Sequence, residues 1–457
     1  MKVEARTKPE DSTIGQWAMI FALLLGVTLW IKDGTASGPG QMDLSRMLLL
    51  ATTCTGAIAA FRRETSGLES MILKFFMVSL VILSGALTLT RPPGYDVAII
   101  GLEDYQAWVV LRGMATALFL AAFFCEGRIR GLLLVIGLCF LGGSLYWTIS
   151  HAKNSTIDVV HVFRAATKQL ENGKNPYSEE MPRIYPENSP LTHKDEATGK
   201  PLSFGFVYPL GTLIGGAIGE IIFGDYRFLF SLIFLAGLLL LSVLPSFRAG
   251  LTFLFPIFLY PRIEFIFERG WADGLSSGLS LLAVATSYWL PWLAGIILGA
   301  FLATKPYFLV FWPSLFLAWS KGYLNKPKLL GLGILTLPIF FYLLPCLVKP
   351  SYYFWSIFFI NIKIPPRPDS LSFFPFWDSL GSLACFIVWI IAFGRYVVQF
   401  IARKDLLEFL LLAIWLLFGV FLFAKSAFMN YYFNILVLTS LLMGFYKTVS
   451  ERASFKN

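Results

Sequence analysis

The chain has 457 residues, of which 56% are hydrophobic and only 14% are charged. A soluble domain carries about 25% charged residues, so this composition excludes an ordinary soluble protein. Apolar runs long enough to span a membrane recur throughout, which predicts an all-α, polytopic transmembrane bundle rather than a transmembrane barrel. The formal net charge of +9 resides largely in short loops, so we expect contact with membrane lipid and no nucleic-acid partner.

Five apolar runs open the sequence and predict the first membrane spans. They lie at about 15–31, 45–61, 70–90, 106–125 and 130–149. We expect the first run to remain as an uncleaved helix, because no clear small-residue cleavage site follows it and many further spans do. Basic residues alternate with acidic residues in the connections, so the positive-inside rule places the N-terminus in the cytoplasm. Five crossings then place the interval 150–204 outside.

The interval 150–204 is a long polar segment in an otherwise apolar chain. Its first part, from Asp158 to Leu170, predicts a helix that lies on the membrane surface. One face holds Asp158, His161, Ala165 and Lys168, and another holds Val159, Val162, Phe163 and Ala166. Asp158 falls in the first turn, where the helix dipole favours a carboxylate. Prolines after Gly173 predict irregular structure, and a loop of this length is usually functional.

The second half predicts shorter and broken helices, because prolines interrupt its apolar runs. We expect residues 250–260 to dip into the membrane and return, which leaves 262–273 outside. If 250–267 spans the membrane instead, Arg269 and Asp273 move to the cytoplasm. The crossings expected after this segment are 274–290, 292–305, 307–319, 329–346, 375–394, 405–423 and 429–446, with 349–374 as a second outside loop. Broken helices at membrane depth are tolerated only where they line a cavity or pack within protein.

The whole plan has about 14 spans with both termini inside, and it divides the chain into three regions. They are a five-helix transmembrane region at 1–149, an outside loop at 150–205 and a transmembrane core with broken helices at 206–457.

Ionisable residues in or beside apolar runs are costly and are therefore functional candidates. The main candidates are Asp158, Arg164, Arg269, Asp273, Lys305 and Lys425. A carboxylate can accept the proton of an attacking hydroxyl group. Cations at the membrane interface can bind a lipid phosphate and stabilise its leaving charge. Together they predict transfer of a sugar from a lipid-phosphate donor, with inversion at the anomeric carbon and Asp158 as the reactive carboxylate.

The order of three short motifs resembles the GT-C superfamily of polytopic glycosyltransferases, and in particular its bacterial polyprenyl-phosphate-mannose-dependent branch. The motifs are Asp158-Val-Val-His-Val-Phe, Asn175-Pro-Tyr177 and Phe206-Val-Tyr-Pro209. The segment Ala294-Gly-Ile-Ile-Leu-Gly-Ala-Phe-Leu-Ala-Thr-Lys-Pro306 is similar to a further helix of that branch. The resemblance implies a GT-C-like fold, Asp158 as general base and Lys305 near the donor phosphate. It also implies a lipid-phosphate sugar as co-substrate, with no other cofactor.

Further residues are expected to bind substrate around Asp158. They are His161, Arg164, Asn175, Tyr177, Tyr208, Arg269, Asp273, Lys305, Lys425 and Tyr431. Simpler roles stay open for several of them: Asp158 could cap the surface helix, Arg269 and Asp273 could form a local ion pair, and Tyr177 could pack beside proline. The three histidines match no zinc-ligand spacing, so we expect no metal site.

The sequence therefore predicts a membrane glycosyltransferase of the hexosyltransferase type, acting on a lipid or glycan acceptor outside a bacterial plasma membrane. A polytopic transporter or lipid-linked-glycan flippase is the alternative, because intramembrane charges and broken helices also mark transporters. A ligase that attaches a whole glycan is a third possibility with the same chemistry.

Overall fold

The structure is a computed structural model, and it describes residues 10–31, 39–61, 67–94, 102–152, 157–187, 189, 192, 194–313, 331–334, 336–340, 357, 365, 370–373, 380–403, 406–425 and 427–454. The regular elements in these ranges are helices, apart from an isolated bridge between Lys194 and Pro201. Eight of the described helices are long and apolar enough to cross a membrane, which confirms the expected all-helical class. The count of about 14 spans and the three regions remain predictions.

The first five helices follow the predicted spans closely. They are α1 (Glu10–Ile31), α2 (Pro39–Phe61), α3 (Gly67–Leu87), α4 (Leu102–Phe124) and α5 (Gly127–His151). Long apolar runs without interior proline let each helix continue for about the 20 residues that a bilayer requires. α1 is the most enclosed of them, because it packs against α2, α3 and the last helix of the chain.

The connections define two ends of the bundle. α5 finishes at His151 and the next helix begins at Asp158; we call this the loop end. α4 and α5 are joined at the far end, where Arg130 Nη1 lies 3.4 Å from Thr252 Oγ1.

The amphipathic helix predicted in the polar interval is confirmed. It is α6 (Asp158–Glu171), and its buried residues are Val160, Val162, Phe163, Ala166 and Thr167. The ring of Phe163 anchors α6 by stacking on Tyr226, with ring centroids 4.3 Å apart. Asp158 and His161 remain partly exposed. The described part of 172–209 contains no helix, as its prolines predict.

The next helix, α7 (Leu210–Phe223), lies across the loop end alongside α6. Gly216 in its middle packs against the Phe163 ring. Near its end, Glu220 Oε1 lies 3.4 Å from Arg164 Nε. A helix of 14 residues is roughly 21 Å long, which is shorter than the hydrocarbon core of a bilayer.

The chain then runs to the far end and returns through the centre of the bundle in broken pieces. The pieces are α8 (Tyr226–Val243), a 3₁₀ helix (Pro245–Leu254), α9 (Phe255–Phe258) and α10 (Ile263–Glu268). Residues 254–270 are all buried. Gly250 contacts Gly444, whereas the Tyr260 ring lies 5.1 Å from that of Phe433. Those two contacts on the last helix lie roughly 16 Å apart along its axis, so the broken segment crosses the bundle.

The expected dip and return of residues 250–260 is therefore wrong. Breaks are possible here because the segment packs entirely within protein, where neighbouring helices satisfy its backbone. The sequence also predicted that Arg269 and Asp273 would lie on the opposite side from Asp158 if this segment crossed. The segment does cross the bundle, but the two residues stay at the same end as Asp158. Gly270 lies against Val160 of α6, so the start of the next helix stays at the loop end.

The remaining helices complete the bundle around this segment. They are α11 (Ala272–Ser287), α12 (Pro291–Leu302), a 3₁₀ helix (Pro306–Phe311), α13 (Leu380–Arg403), α14 (Leu406–Leu422) and α15 (Met429–Ser454). α14 and α15 begin within one residue of the expected spans 405–423 and 429–446, whereas α13 begins later than the expected 375–394 and continues to Arg403. The expected crossings 307–319 and 329–346 are described only in part, and the second outside loop at 349–374 lies largely outside the described residues.

Candidate functional site

A buried carboxylate at the loop end accepts hydrogen bonds from two distant segments of the chain. Asp273 has 0% exposure. Its two oxygens accept hydrogen bonds from Lys305 Nζ (3.1 Å), the Tyr307 hydroxyl (2.9 Å), Asn430 Nδ2 (2.6 Å) and Asn434 Nδ2. A carboxylate has about four lone-pair sites, so this one is saturated. With these sites in use, Asp273 has no lone pair left for the hydroxyl group of an acceptor, and it therefore does not suit the role of a general base.

The turn before α11 places Asp273 in this position. Gly270 follows α10 with φ of 63°, a left-handed conformation that glycine adopts without steric cost. The Tyr226 hydroxyl donates to Gly270 O at 2.8 Å, which ties the turn to the start of α8. Asp273 then falls in the first turn of α11, where the helix dipole favours a carboxylate.

Lys305 reaches Asp273 because of its setting in Thr-Lys-Pro. A residue before proline is pushed out of the helical region, and Lys305, before Pro306, is extended with φ −145° and ψ 140°. Thr212 of α7 donates to Thr304 O at 2.6 Å, which holds this connection at the loop end. Among the described residues, Asp273 is the one hydrogen-bond acceptor of the Lys305 ammonium, which carries three N–H donors.

Three tyrosine rings surround the same ammonium. Lys305 Nζ lies 5.1 Å from the ring centres of Tyr208 and Tyr431 and 5.7 Å from that of Tyr307. Rings within about 6 Å attract a cation through their quadrupoles. The rings and Asp273 together compensate for the water that a lysine with 4% exposure has lost.

Asp158 lies at the edge of this cluster. Burial of the Tyr208 phenol raises its pKa well above the ordinary value. Nearby acidic groups raise it further, and in decreasing order they include Tyr431, Asp273 and Asp158. Phe163, on the same helix as Asp158, stacks on Tyr208 with ring centroids 5.4 Å apart, so α6 packs directly beside the cluster. Asp158 is the accessible carboxylate, and its backbone N–H lies 3.4 Å from the Tyr185 hydroxyl.

His161 and Arg164 follow Asp158 on α6 but face different surroundings. His161 is partly exposed one turn after Asp158. Arg164 pairs with Glu220 at 3.4 Å and with Asp225 at 3.2 Å. Asp225 also accepts from the fully buried Arg227 at 2.6 Å. Arg164 thus belongs to an ionic network that joins α6 to α7 and α8.

Asn175 and Tyr177 support the site through the backbone. Asn175 Oδ1 accepts from Tyr177 N at 3.0 Å, an Asx turn that starts the return of the loop. The buried Tyr177 hydroxyl donates to Tyr208 O at 2.9 Å. The Asn-Pro-Tyr motif therefore positions Tyr208 beside Lys305.

Arg269 lies at the loop end but outside the Asp273 cluster. Its Nε is 4.0 Å from Glu268 Oε2, and its guanidinium lies 5.1 Å from the centre of the Phe265 ring. The sequence left open a local pair between Arg269 and Asp273. That pair is not formed, because the partner of Asp273 is Lys305.

Lys425 and Tyr431 lie around the turn between α14 and α15. Lys425 forms an exposed ion pair with Glu196 of the long loop. Tyr431 faces the cluster, and its ring centroid is 5.6 Å from that of Tyr307. The structure thus brings Tyr431, but not the charge of Lys425, to the buried site.

Three members of the cluster were not predicted from the sequence, namely Tyr307, Asn430 and Asn434. The two asparagines are four residues apart and share one face of α15. Asn434 Oδ1 also accepts from Ser276 and Ser277 of α11, at 2.9 Å each. Two amides at helical spacing in an apolar span were the available signal, because buried polar groups require partners.

A second buried ion pair lies deeper in the bundle. Arg112 Nε of α4 is 3.3 Å from Glu264 Oε1 of α10. Ser144 of α5 donates to the same oxygen at 2.9 Å, and Arg112 Nη2 donates to Tyr260 O at 3.0 Å. These contacts fix the broken central segment between two long helices.

Within the described ranges, no group of three His, Cys, Asp or Glu side chains is placed to hold a metal ion, and His193 lies outside those ranges. No protein-family model, curated protein or solved structure matches the chain significantly. The fold and the site define a class, a polytopic helical membrane protein with an enclosed ionic cluster and an accessible carboxylate at one end.

Proposed function

We propose that this protein is a GT-C-type glycosyltransferase of a bacterial plasma membrane. It moves a hexose such as mannose from a polyprenyl-phosphate donor to a lipid or glycan acceptor at the outer face. The observation that supports this most is the packing around Tyr208: α6, which begins with the accessible carboxylate Asp158, stacks on Tyr208 through Phe163, and the buried Lys305 ammonium lies 5.1 Å from the centre of the same ring. The carboxylate and the ammonium are the two charges that transfer from a lipid phosphate requires.

The proposed reaction is a single displacement at the anomeric carbon. The acceptor oxygen forms a bond to that carbon as the bond from carbon to the phosphate oxygen breaks. The acceptor proton passes to the carboxylate of Asp158. The electron pair of the broken bond leaves with the polyprenyl phosphate, whose charge Lys305 stabilises.

The direct test measures transfer by the purified protein in lipid nanodiscs. Radiolabelled polyprenyl-phosphate mannose is the donor, and lipid extracted from the native membrane is the acceptor. Removing a general base typically lowers a rate by about 10²–10⁴-fold, so we expect Asp158→Asn to lose at least that lower factor. Transfer by Asp158→Asn at the wild-type rate would show that Asp158 is not the base.

Glu171→Gln is the matched control. Glu171 is exposed at the other end of the same helix, so the variant removes one carboxylate charge from α6 without approaching the site. We expect wild-type transfer from it.

The competing function is transport of a lipid-linked glycan. The buried Arg112–Glu264 pair on a broken central segment suits that class. Liposomes with labelled lipid-linked sugar separate the two functions: a flippase moves the label between leaflets without chemical change, whereas the proposed enzyme converts it to a new glycosylated product.

A further inference from the structure

We infer that Asp273 is a positioning residue for Lys305, and that Tyr307, Asn430 and Asn434 hold Asp273 in that role. This inference rests on the proposed function, in which Lys305 receives the phosphate of the donor. The sequence predicted that Asp273 contacts substrate. The inference instead gives Asp273 the role of holding the Lys305 ammonium in place.

The burial of the pair is the first support. Lys305 and Asp273 are 4% and 0% exposed, and their charged atoms are 3.1 Å apart. Burying a lone ammonium in such a setting is strongly disfavoured, so the counter-charge of Asp273 offsets the cost of holding Lys305 there before substrate arrives.

The geometry of Asp273 is the second support. Oδ1 accepts from Tyr307 and Asn434, and Oδ2 accepts from Asn430 and Lys305. Donors from α15 and from the 3₁₀ helix after Lys305 therefore fix both oxygens of the carboxylate. Such a carboxylate cannot rotate away from Lys305 without leaving several buried donors unpaired.

The donor capacity of Lys305 is the third support. Within the part of the chain that the structure describes, its ammonium uses one of three N–H donors, toward Asp273. The other two remain for an acceptor next to Tyr208 and Tyr431. A phosphate oxygen is a strong acceptor of this kind.

The test is a double-mutant cycle on sugar transfer with Asp273→Asn, Lys305→Met and the double variant. Removing one preorganised charge-stabilising donor lowers a rate by about 10²–10³-fold, so each single variant should lose about 100-fold. The double variant should lose no more than Lys305→Met alone, because Asp273 acts through Lys305. Losses that multiply in the double variant, or wild-type transfer by Asp273→Asn, would overturn the inference.

Conservative and control variants separate positioning from folding. Asp273→Glu keeps the charge and should recover part of the transfer that Asp273→Asn loses. If Asp273→Asn does not accumulate as folded protein, Tyr307→Phe replaces it, since it removes one donor to Asp273 and no charge. Its effect should vanish in the Lys305→Met background. Ser280→Ala, two turns further along α11 and bonded to Ser277 O, should transfer normally.

Binding of farnesyl phosphate distinguishes failure of this inference from failure of the proposed function. Wild type should bind this probe, and Lys305→Met and Asp273→Asn should weaken binding equally. If binding follows this pattern but wild type transfers no sugar, the proposed function fails and the positioning role stands. If wild type transfers sugar and Asp273→Asn binds the probe as wild type does, the positioning role fails alone. If wild type does not bind the probe, the phosphate role of Lys305 and the inference both fail.

Discussion

Arg227 is the residue whose removal should most weaken the loop end. Its guanidinium is fully buried and bonds to Asp225 through two nitrogens, with Nη2–Oδ2 at 2.6 Å. Nη1 donates to Glu268 O at 2.7 Å, and Nη2 donates to Ala152 O at 3.0 Å. One side chain therefore joins the start of α8 to the end of α5 and to the turn before Asp273.

The expected loss of stability in Arg227→Met follows from these contacts. Removing one partner of a buried ion pair costs about 3–5 kcal/mol. We take the lower value, because Asp225 keeps Arg164 at 3.2 Å. Two buried carbonyl groups also lose their donor, which costs about 1 kcal/mol each at the lower limit. The unfolding free energy should therefore fall by about 5 kcal/mol.

The assay is SDS-induced unfolding in mixed micelles, followed by tryptophan fluorescence. Arg183→Met is the matched control, because Arg183 forms an exposed pair with Glu180 at 2.6 Å. An exposed pair contributes about 1 kcal/mol or less. If Arg227→Met destabilises the protein no more than Arg183→Met does, the reasoning from buried contacts at the loop end is refuted.

Three further substitutions probe the surroundings of the site. Gly270→Ala should lower the melting temperature clearly, because φ is 63° and an added Cβ would lie 2.1 Å from the Tyr226 hydroxyl. Adding Tyr226→Phe should recover part of this loss, and a double variant without any recovery would contradict the steric cause. Tyr177→Phe should reduce the unfolding free energy by about 1–3 kcal/mol, because it removes the hydrogen-bond donor to Tyr208 O. Sugar transfer should also fall, and unchanged transfer would argue against support of Tyr208 by the Asn-Pro-Tyr motif. Lys425→Ala should change the unfolding free energy by no more than about 1 kcal/mol, because its ion pair is exposed, and a larger loss would show that the long loop depends on that contact.

Local patterns predicted the long helices and α6 well. The spans at 15–31 and 130–149 correspond to α1 and α5, because an uninterrupted apolar run in a membrane protein has few alternatives to a helix. α6 was predicted to within one residue at its end, since its apolar residues recur at helical spacing around Phe163.

The same patterns predicted only part of the cluster. Asp273 and Lys305 were candidates because each is an ionisable group in or beside an apolar run. Tyr208 was a candidate because it lies in the Phe-Val-Tyr-Pro motif, and Tyr431 because it follows Lys425 in a segment rich in aromatic residues. Tyr307 and the two asparagines of α15 were not candidates, because they carry no charge and lie in none of the motifs. The spacing of the asparagines indicates one shared helix face, but the partner of that face is fixed only by the tertiary structure. The pairing of Asp273 with Lys305 in place of Arg269 also depends on a contact between residues 32 positions apart.

The sequence by itself determined that this protein is a helical membrane bundle with one polar interval that begins in an amphipathic helix. Both properties depend on composition and short-range periodicity, which the bilayer and the helical repeat impose directly. Tertiary structure alone decided that α7 lies across the loop end, that residues 245–268 return through the centre, and that Asp273 is enclosed while Asp158 is accessible. These outcomes depend on which buried polar groups find partners across distant segments, and no local pattern encodes that choice.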